Sequence, residues 1–254
     1  MANSFLKTLT LDLGNTALKY GVFTAAGLQA SGVLAAPDEL TELWQRYQPA
    51  HAILASVASE EEAQPWLHAL RDYLTQILPL RPGFTPVPLQ NAYATPQTLG
   101  ADRLAGAVAA GHLRPGQPTL VLDAGTALKF DLVADNTFFG GSIAPGLQMR
   151  LRALHAFTGR LPLLELPTPA EAVQLIGDST ASSLLSGVLN GTAAEVNGLV
   201  AEYQRRYPGL GLVLTGGDAA HLRPRLAADL GFIFVVPELV LIGLDRILRH
   251  NVDR

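Results

Sequence analysis

Short apolar runs alternate with longer amphipathic segments along this chain, which predicts a protein of mixed strands and helices. Apolar runs predict strands at residues 9–11, 52–57, 212–214 and 232–236, and a hairpin is predicted around a turn at 25–27. A proline-rich stretch at 80–91 predicts a strand followed by a loop. Apolar residues at helical spacing predict helices at residues 38–47, 60–77, 104–113, 179–207, 224–230 and 238–250.

One pattern occurs twice in the chain. Residues 9–20 read LTLDLGNTALKY and residues 120–130 read LVLDAGTALKF, and the two align once Asn15 is removed. Each copy has an apolar strand, an aspartate at its end and a Gly-Thr turn, and two of the three lysines of the chain, Lys19 and Lys129, take the same place in it. An ordinary strand-turn-strand hairpin explains either copy alone. The duplication favours two facing half-sites that grip a phosphate chain.

The residues of the first copy suit an anionic ligand. Gly14 allows the backbone to turn tightly and approach a ligand, while Asn15 and Thr16 offer amide and hydroxyl groups. Successive backbone N–H groups in such a turn form a concavity that binds anions. Because a carboxylate repels phosphate, we expect Asp12 to act through Mg²⁺, which binds carboxylate and phosphate oxygens together.

The segment 114–118, rich in proline and glycine, predicts a boundary between a lobe of residues 1–115 and a lobe of residues 116–254. Each lobe opens with one copy of the repeated pattern. We therefore expect an α/β fold of two related lobes, each a mixed sheet flanked by helices, with the ligand in the cleft between them.

The amino-acid composition excludes several classes of partner and site. The net charge is −4 and no basic patch stands out, so nucleic acid is not an expected partner. The absence of cysteine excludes disulfides and Cys-based metal sites. We find no signal-peptide pattern and no apolar run of about 18 residues, so we expect no membrane association and a soluble, cytoplasmic protein.

The segment Gly100-Ala101-Asp102-Arg103 precedes a predicted alanine-rich helix. An aspartate there is often a helix N-cap. The alternative makes Asp102 a general base or a substrate anchor, and Arg103 a clamp for an anion or carboxylate. Tyr93, on the preceding loop, is positioned in sequence to line the same pocket.

Two further glycine-rich segments fit a nucleotide site, because glycine lets the backbone approach a ligand closely. They are residues 140–146 (GGSIAPG) and residues 214–218 (LTGGD), the latter with the pair Gly216-Gly217 after a predicted strand. Thr180 lies at the start of the long predicted helix, where Asp178 or Ser179 is the expected N-cap. No Walker A sequence and no Gly-x-Ser-x-Gly elbow is present, so the P-loop and serine hydrolase classes are excluded.

This set of motifs resembles the superfamily of acetate and sugar kinases, Hsp70 and actin, whose lobes are ribonuclease H-like. Within it, the set is similar to the type III pantothenate kinase family, and the likeness runs in order through nearly the whole chain. Its most specific parts are the segments at 100–103 and 140–146.

The resemblance implies ATP-dependent phosphorylation of pantothenate to 4'-phosphopantothenate, the first step of coenzyme A biosynthesis. It implies that Asp102 is the general base, that Asp12 acts through Mg²⁺, and that Asp123 holds a monovalent cation, K⁺ or NH₄⁺. It also implies a homodimer, for which the long helix at 179–207 offers a surface. By the same resemblance ATP is bound by Asp12, Leu13, Gly14, Asn15, Thr16, Ala17, Leu18, Lys19, Thr126, Gly216 and Gly217, and pantothenate by Tyr93, Gly100, Ala101, Asp102, Arg103 and Thr180.

The second copy departs from the family pattern at three positions. Ala124 stands where the family usually has an aromatic residue, and Leu128 and Lys129 stand where it usually has threonines. Two other functions also stay open: a kinase for another small hydroxy acid or sugar, and a regulatory relative that binds nucleotide without turnover. A purely structural or interaction module is disfavoured by the two phosphate turns.

Overall fold

The computed structural model describes residues 7–14, 18–56, 60–73, 77–228 and 230–252 of the 254-residue chain. The chain divides into two compact units. The first comprises Met1–Pro115, Asn136–Phe138 and Glu238–Arg254, and the second comprises Gly116–Asp135 and Phe139–Pro237. The last helix, which the sequence division at residue 115 places in the second lobe, groups by its contacts with the first unit.

Strands and helices alternate in both parts of the chain. Up to residue 113 the elements are β1 (Thr8–Leu13), β2 (Leu18–Thr24), β3 (Gly27–Leu34), α1 (Glu39–Tyr47), β4 (His51–Ser56), α2 (Glu60–Arg71), β5 (Ile77–Pro79), β6 (Gln90–Asn91) and α3 (Ala101–Leu113). They continue with β7 (Thr119–Ala124), β8 (Ala127–Ala134), β9 (Thr137–Pro145), α4 (Leu147–Ala156), α5 (Thr180–Arg206), β10 (Gly211–Thr215), α6 (Ala219–Leu222), β11 (Ile233–Val235) and α7 (Leu239–Val252).

The sheet of the first unit is mixed and has the strand order β3-β2-β1-β4-β5. Its central strand β1 pairs antiparallel with β2 and parallel with β4. Residues 8–11 of β1 are all buried, so both faces of this strand are covered although threonine alternates with leucine along it. The buried Thr10 keeps its hydroxyl satisfied by donating to the carbonyl of Gly21.

Helices α3 and α7 pack closely in the first unit. A Cβ atom added at Gly243 would lie only 1.8 Å from the Ala105 carbonyl oxygen, so only glycine permits this approach. This close approach explains why α3 is rich in small residues. Helix α7 is also tied to β1, because the buried Thr8 hydroxyl donates to the Asp245 carboxylate at 2.5 Å.

The second unit repeats the plan of the first. Its strands follow the order β11-β10-β7-β8-β9, with β7 antiparallel to β8 and parallel to β10. The core contains residues from β7, β8 and β10 together with α5, among them Leu122, Phe130, Val196 and Leu214. Strand β6 pairs with Thr137 and Phe138, which belong with it to the first unit.

Two predicted helices differ from the structure. The helix predicted at 60–77 ends at Arg71, because Ile77 pairs with Ala52 as the start of β5. The helix predicted at 224–230 is wrong: Pro224 lies in a 3₁₀ turn, Arg223–Arg225, that follows the four-residue α6. In both places the spacing of the apolar residues is typical of a helix. The chain instead forms a strand in the first place and a 3₁₀ turn in the second.

The predicted fold class is confirmed. Each unit is built on a mixed sheet with helices packed against it. Among the described helices, none combines the length and the apolar character needed to cross a membrane.

Candidate active site

The first copy of the repeated pattern forms the hairpin β1–β2. Asp12 is half-buried near the end of β1, where it is the backbone partner of Lys19 on β2 and of Ala55 on β4. Leu13 and Leu18 are buried in the core, so only their backbone groups are available to a ligand. Gly14 follows β1, whereas Asn15, Thr16 and Ala17 lie outside the described residues.

The second copy forms the hairpin β7–β8 with the same pairing. Asp123 is the backbone partner of Lys129, as Asp12 is of Lys19. Here the two side chains also meet, since Lys129 Nζ lies 2.7 Å from Asp123 Oδ2. In the turn between the strands, the Gly125 N–H donates to the Ala127 carbonyl, and Thr126 is exposed. Thr126 is therefore accessible to a ligand.

The turn after β10 folds over Asp123. Strand β10 runs beside β7 with Thr215 as the partner of Asp123, which places the Gly216-Gly217 pair next to the β7–β8 turn. Gly216 has a φ of +92°, and a Cβ there would lie 2.4 Å from the Ala124 carbonyl carbon. Both its conformation and this contact require glycine. Gly217 is exposed.

The turn before α4 joins the same place. The Gly146 N–H donates to the Thr126 carbonyl at 3.1 Å, and a Cβ on Gly146 would lie 2.3 Å from the Gly125 carbonyl oxygen. The segments at 140–146, 123–127 and 214–218, which are far apart in sequence, thus meet through their backbones. Glycine at each contact is what lets three turns share this space.

Asp218 links these turns, a role that the sequence did not indicate. Its N–H donates to the Ala124 carbonyl at 2.8 Å, and its carboxylate accepts a hydrogen bond from the Leu147 N–H at the start of α4. Burial raises the pKa of Asp218, while nearby His221 and the Leu147 N–H act in the opposite direction. Its neighbourhood in sequence, a glycine pair before a short helix, gave no sign of this contact.

Thr180 is exposed as the first residue of α5. Ser179 is the N-cap of the helix, as one of the two expected caps, and it shares a reciprocal capping box with Ser182. The hydroxyl of Thr180 is therefore not used for capping.

In the first unit, Asp102 occupies the first turn of α3. The N-cap is Gly100 rather than Asp102, so the alternative that made Asp102 a cap is wrong. A Cβ on Gly100 would lie 2.5 Å from Asp102 Oδ1, which means that glycine leaves the room in which this carboxylate sits. Asp102 is half-buried and lies in the first turn of the helix.

Arg103 lies against Tyr93, the residue predicted to line the same pocket. The Arg103 guanidinium carbon lies 5.4 Å from the centre of the Tyr93 ring and 5.9 Å from that of Phe138, and the two rings stack on each other. Arg103 is only 8% exposed. Stacking holds its planar group in one orientation, which suits a bidentate grip on a carboxylate. Phe138 was not predicted, because its distance in sequence gave no signal.

Each unit therefore gathers its own share of the predicted residues. The first brings Asp102, Gly100, Arg103 and Tyr93 into one neighbourhood, and the second brings Asp123 and Thr126 together with the turn of Gly216. Two cavities of the first unit, of about 480 and 560 Å³, are lined by other residues, among them His112 and Arg71. They are thus not part of this site.

Comparison with known proteins identifies the family. A family model described as type III pantothenate kinase matches residues 8–202. The relatives named type III pantothenate kinase include one from Christiangramia forsetii, 40% identical over 248 residues, which cover 96% of this chain and 98% of that protein. Another, from Cytophaga hutchinsonii, is 37% identical over 245 residues, covering 96% of this chain and 99% of that protein.

Solved structures support the fold. A protein described as a putative Baf family transcriptional activator from Campylobacter jejuni has a TM-score of 0.62 at 20% identity, covering 97% of this chain and all of that one. A ROK hexokinase from Thermus thermophilus has a TM-score of 0.53 at 17% identity, again over 97% of this chain and all of that one. The likeness to the hexokinase places the fold among those of sugar kinases. By the family match and the full-length relatives, the chain belongs to the type III pantothenate kinase family.

Proposed function

We propose that this protein transfers the γ-phosphoryl group of ATP to the primary hydroxyl of pantothenate, giving 4'-phosphopantothenate for coenzyme A biosynthesis. The observation that carries the proposal is the family match over residues 8–202, which includes Asp12, Asp102 and Asp123. A kinase of this family works with ATP and a divalent metal ion. We also keep the predicted cytoplasmic location and homodimer, with α5 as its surface, as parts of the proposal.

Asp102 is proposed as the general base. Its carboxylate, in the first turn of α3, accepts the proton of the hydroxyl as that oxygen attacks the γ-phosphorus and ADP leaves. The stacked guanidinium of Arg103 binds the carboxylate of pantothenate, beside Tyr93. Gly100, Ala101 and Thr180 complete the proposed substrate contacts.

The nucleotide is proposed to lie on the two hairpin turns. Residues 12–19 and Thr126 bind the phosphates, while Gly216 and Gly217 contact the nucleotide through their backbone. A Mg²⁺ ion fits Asp12, because this ion needs only one or two carboxylates when phosphate oxygens and water supply the rest. When bound, it neutralises charge on the transferred phosphoryl group.

The monovalent cation implied at Asp123 stays a prediction. The residues present do not fit it, because the carboxylate of Asp123 already holds the Lys129 ammonium at 2.7 Å. We therefore assign no step to K⁺ or NH₄⁺.

The test is pantothenate-dependent release of ADP from Mg-ATP, compared with release for a panel of sugars and other small hydroxy acids. Asp102→Asn keeps the shape of the side chain but cannot accept the proton, so we expect kcat to fall by about 10²–10⁴-fold with unchanged thermal stability. Asp72→Asn, at an exposed position in the same unit, is the matched control and keeps normal turnover.

Three results distinguish the alternatives. Turnover with another acceptor but not with pantothenate indicates a different substrate. Binding of ATP without turnover for any acceptor indicates a regulatory relative. Near-normal turnover of Asp102→Asn shows that Asp102 is not the base.

A further inference from the structure

The ion pair of Lys129 with Asp123 joins two partly buried side chains. The lysine and aspartate side chains are only 16% and 21% exposed, and the contact distance of 2.7 Å is that of a charge-assisted hydrogen bond. The pairing is fixed by strand register, because the two residues are backbone partners across the β7–β8 hairpin. Formation of the hairpin therefore places the lysine beside the carboxylate, unlike a mobile lysine at the surface.

The other oxygen of the same carboxylate faces backbone. A Cβ added at Gly216 would lie 2.6 Å from Asp123 Oδ1, and one added at Gly125 would lie 3.2 Å from it. Two turns of the candidate nucleotide site thus close over Oδ1, while Oδ2 is held by the ammonium. One oxygen is thus paired with an ammonium, and the other lies in a confined place between two turns of the second unit.

A second cation at this carboxylate meets an unfavourable charge balance. The carboxylate and the ammonium neutralise each other, so the pair offers no net negative charge to a potassium ion. An ion in contact with Asp123 also lies close to the Lys129 ammonium, and like charges at such a distance repel strongly in a partly buried place. The resemblance places threonines at positions 128 and 129, and a threonine at 129 brings no such charge.

We propose that the Lys129 ammonium takes the place of the monovalent cation at Asp123, so that turnover of this protein needs neither K⁺ nor NH₄⁺. Lys129 is then a positioning residue: it holds the Asp123 carboxylate, which lies close to the Gly125 and Gly216 turns. This inference rests on the proposed function for its kinetic side, whereas its ion-binding side stands independently.

The kinetic test compares initial rates with Mg-ATP and pantothenate in KCl, NH₄Cl or N-methylglucamine chloride at one ionic strength. We expect the wild-type rates to agree within twofold. Lys129→Thr should lose at least tenfold in N-methylglucamine chloride and recover with KCl. Lys19→Thr, the matched change in the first hairpin, should give a residual rate that is the same in all three salts.

A second measurement does not depend on turnover. Thallium(I), a stand-in for potassium, is added as its nitrate, and its binding is followed by ²⁰⁵Tl NMR. We expect binding by Lys129→Thr and none by the wild type. If Lys129→Thr fails to fold, the wild-type rates and the wild-type thallium spectrum still decide the matter.

The outcomes separate this inference from the proposed function. Wild-type turnover that rises at least tenfold with K⁺, or thallium binding by the wild type, overturns the inference and leaves the kinase activity standing. Absence of turnover in every salt overturns the proposed function. In that case thallium binding by Lys129→Thr but not by the wild type still supports the role of Lys129.

Discussion

The two hairpins share a sequence pattern and a strand register, yet their aspartates have different surroundings. In both, the aspartate is the backbone partner of a lysine across the hairpin and lies next to a parallel strand. Lys19 of the first hairpin is exposed, whereas Lys129 of the second is largely buried against Asp123. A repeated sequence therefore sets the pairing, while the neighbouring elements decide what each carboxylate is able to do.

The neighbouring turns account for the difference. Ala55 of β4 lies beside Asp12, whereas Asp123 has Thr215 of β10 beside it, followed by the Gly216 turn that closes over its carboxylate. The carboxylate of the second aspartate is thus confined between the Gly125 and Gly216 turns. The first is the one proposed to act on Mg-ATP, and this division of roles can be broken or sharpened by experiment.

The largest difference between the two aspartates is expected in catalytic turnover. Asp12→Asn removes the charge proposed to bind Mg²⁺, so we expect kcat/KM for ATP to fall by about 100- to 1,000-fold, or about 3–4 kcal/mol. Thermal unfolding should stay close to that of the wild type. Steady-state kinetics across a range of Mg²⁺ concentrations measure the loss. Equal losses for Asp12→Asn and Asp123→Asn contradict the division of roles.

The next contrast is one of stability. Gly216→Ala adds a Cβ 2.4 Å from the Ala124 carbonyl carbon at a residue with a φ of +92°. We expect a loss of about 3 kcal/mol in the free energy of unfolding, measured by urea denaturation. Gly217→Ala is the control, because a Cβ there has no described atom within 4 Å. Equal stabilities of the two variants argue against the tight contact over Asp123.

Asp123→Asn should act on stability more than on rate. It leaves the Lys129 ammonium without its counter-charge in a place where the side chain is only 16% exposed. We expect a loss of about 1–3 kcal/mol in unfolding free energy. The rate should fall by about tenfold, close to the loss expected for Lys129→Thr and well short of that for Asp12→Asn. The double variant Asp123→Asn/Lys129→Thr should regain part of that stability. A double variant that is less stable than the single one speaks against the ion pair as the cause.

The smallest difference is expected between the two units in how their stability against unfolding depends on pH. Burial, and then nearby Arg246, lower the pKa of His112 in the first unit below its usual 6.5, while Asp245 acts the other way. The unfolded chain therefore binds this proton more readily, and stability present above pH 6.5 is lost as the pH falls through the lowered value. Unfolding between pH 5 and 7 should be less pH-dependent in His112→Gln, and an unchanged profile contradicts this assignment.

Asp218 of the second unit has the opposite sign. Its pKa is raised above 3.8 mainly by burial, so the folded chain binds the proton more readily than the unfolded one. Its contribution to stability is present below pH 3.8 and is lost as the pH rises through the raised value. Asp218→Asn should remove this dependence in acid, with unfolding followed from pH 3 to 6. A profile that matches the wild type excludes Asp218 as its source.

The sequence predicted most of the elements, because their signals are local. The hairpins, the long helix and the Ala-rich helix each carry their own period and turn residues. The helix predicted beyond Arg71 failed because pairing of Ile77 with Ala52 is a contact that no local window contains. Pro224 lies in a 3₁₀ turn, Arg223–Arg225, that depends on the surrounding structure in the same way.

The site was predictable as a set of motifs but not as a set of contacts. The sequence indicated Arg103 and Tyr93 as neighbours. It gave no sign that the Phe138 ring stacks on Tyr93 and lies under the Arg103 guanidinium. The role of Asp218 was hidden for the same reason, since Leu147 and Ala124 are distant in sequence. The ion pair of Lys129 with Asp123 did have a signal in the sequence, namely two lysines at equivalent places in the repeat, but only the structure shows that Lys129 is the one largely buried.

The most direct test of the account is to identify the product by ³¹P NMR after the protein is incubated with Mg-ATP and pantothenate. The account predicts one new phosphomonoester, identical to 4'-phosphopantothenate, formed in equal amount to ADP and at least a hundredfold more slowly by Asp102→Asn. ADP formed at the same rate without pantothenate, or ATP bound with no phosphorylated product, would contradict it.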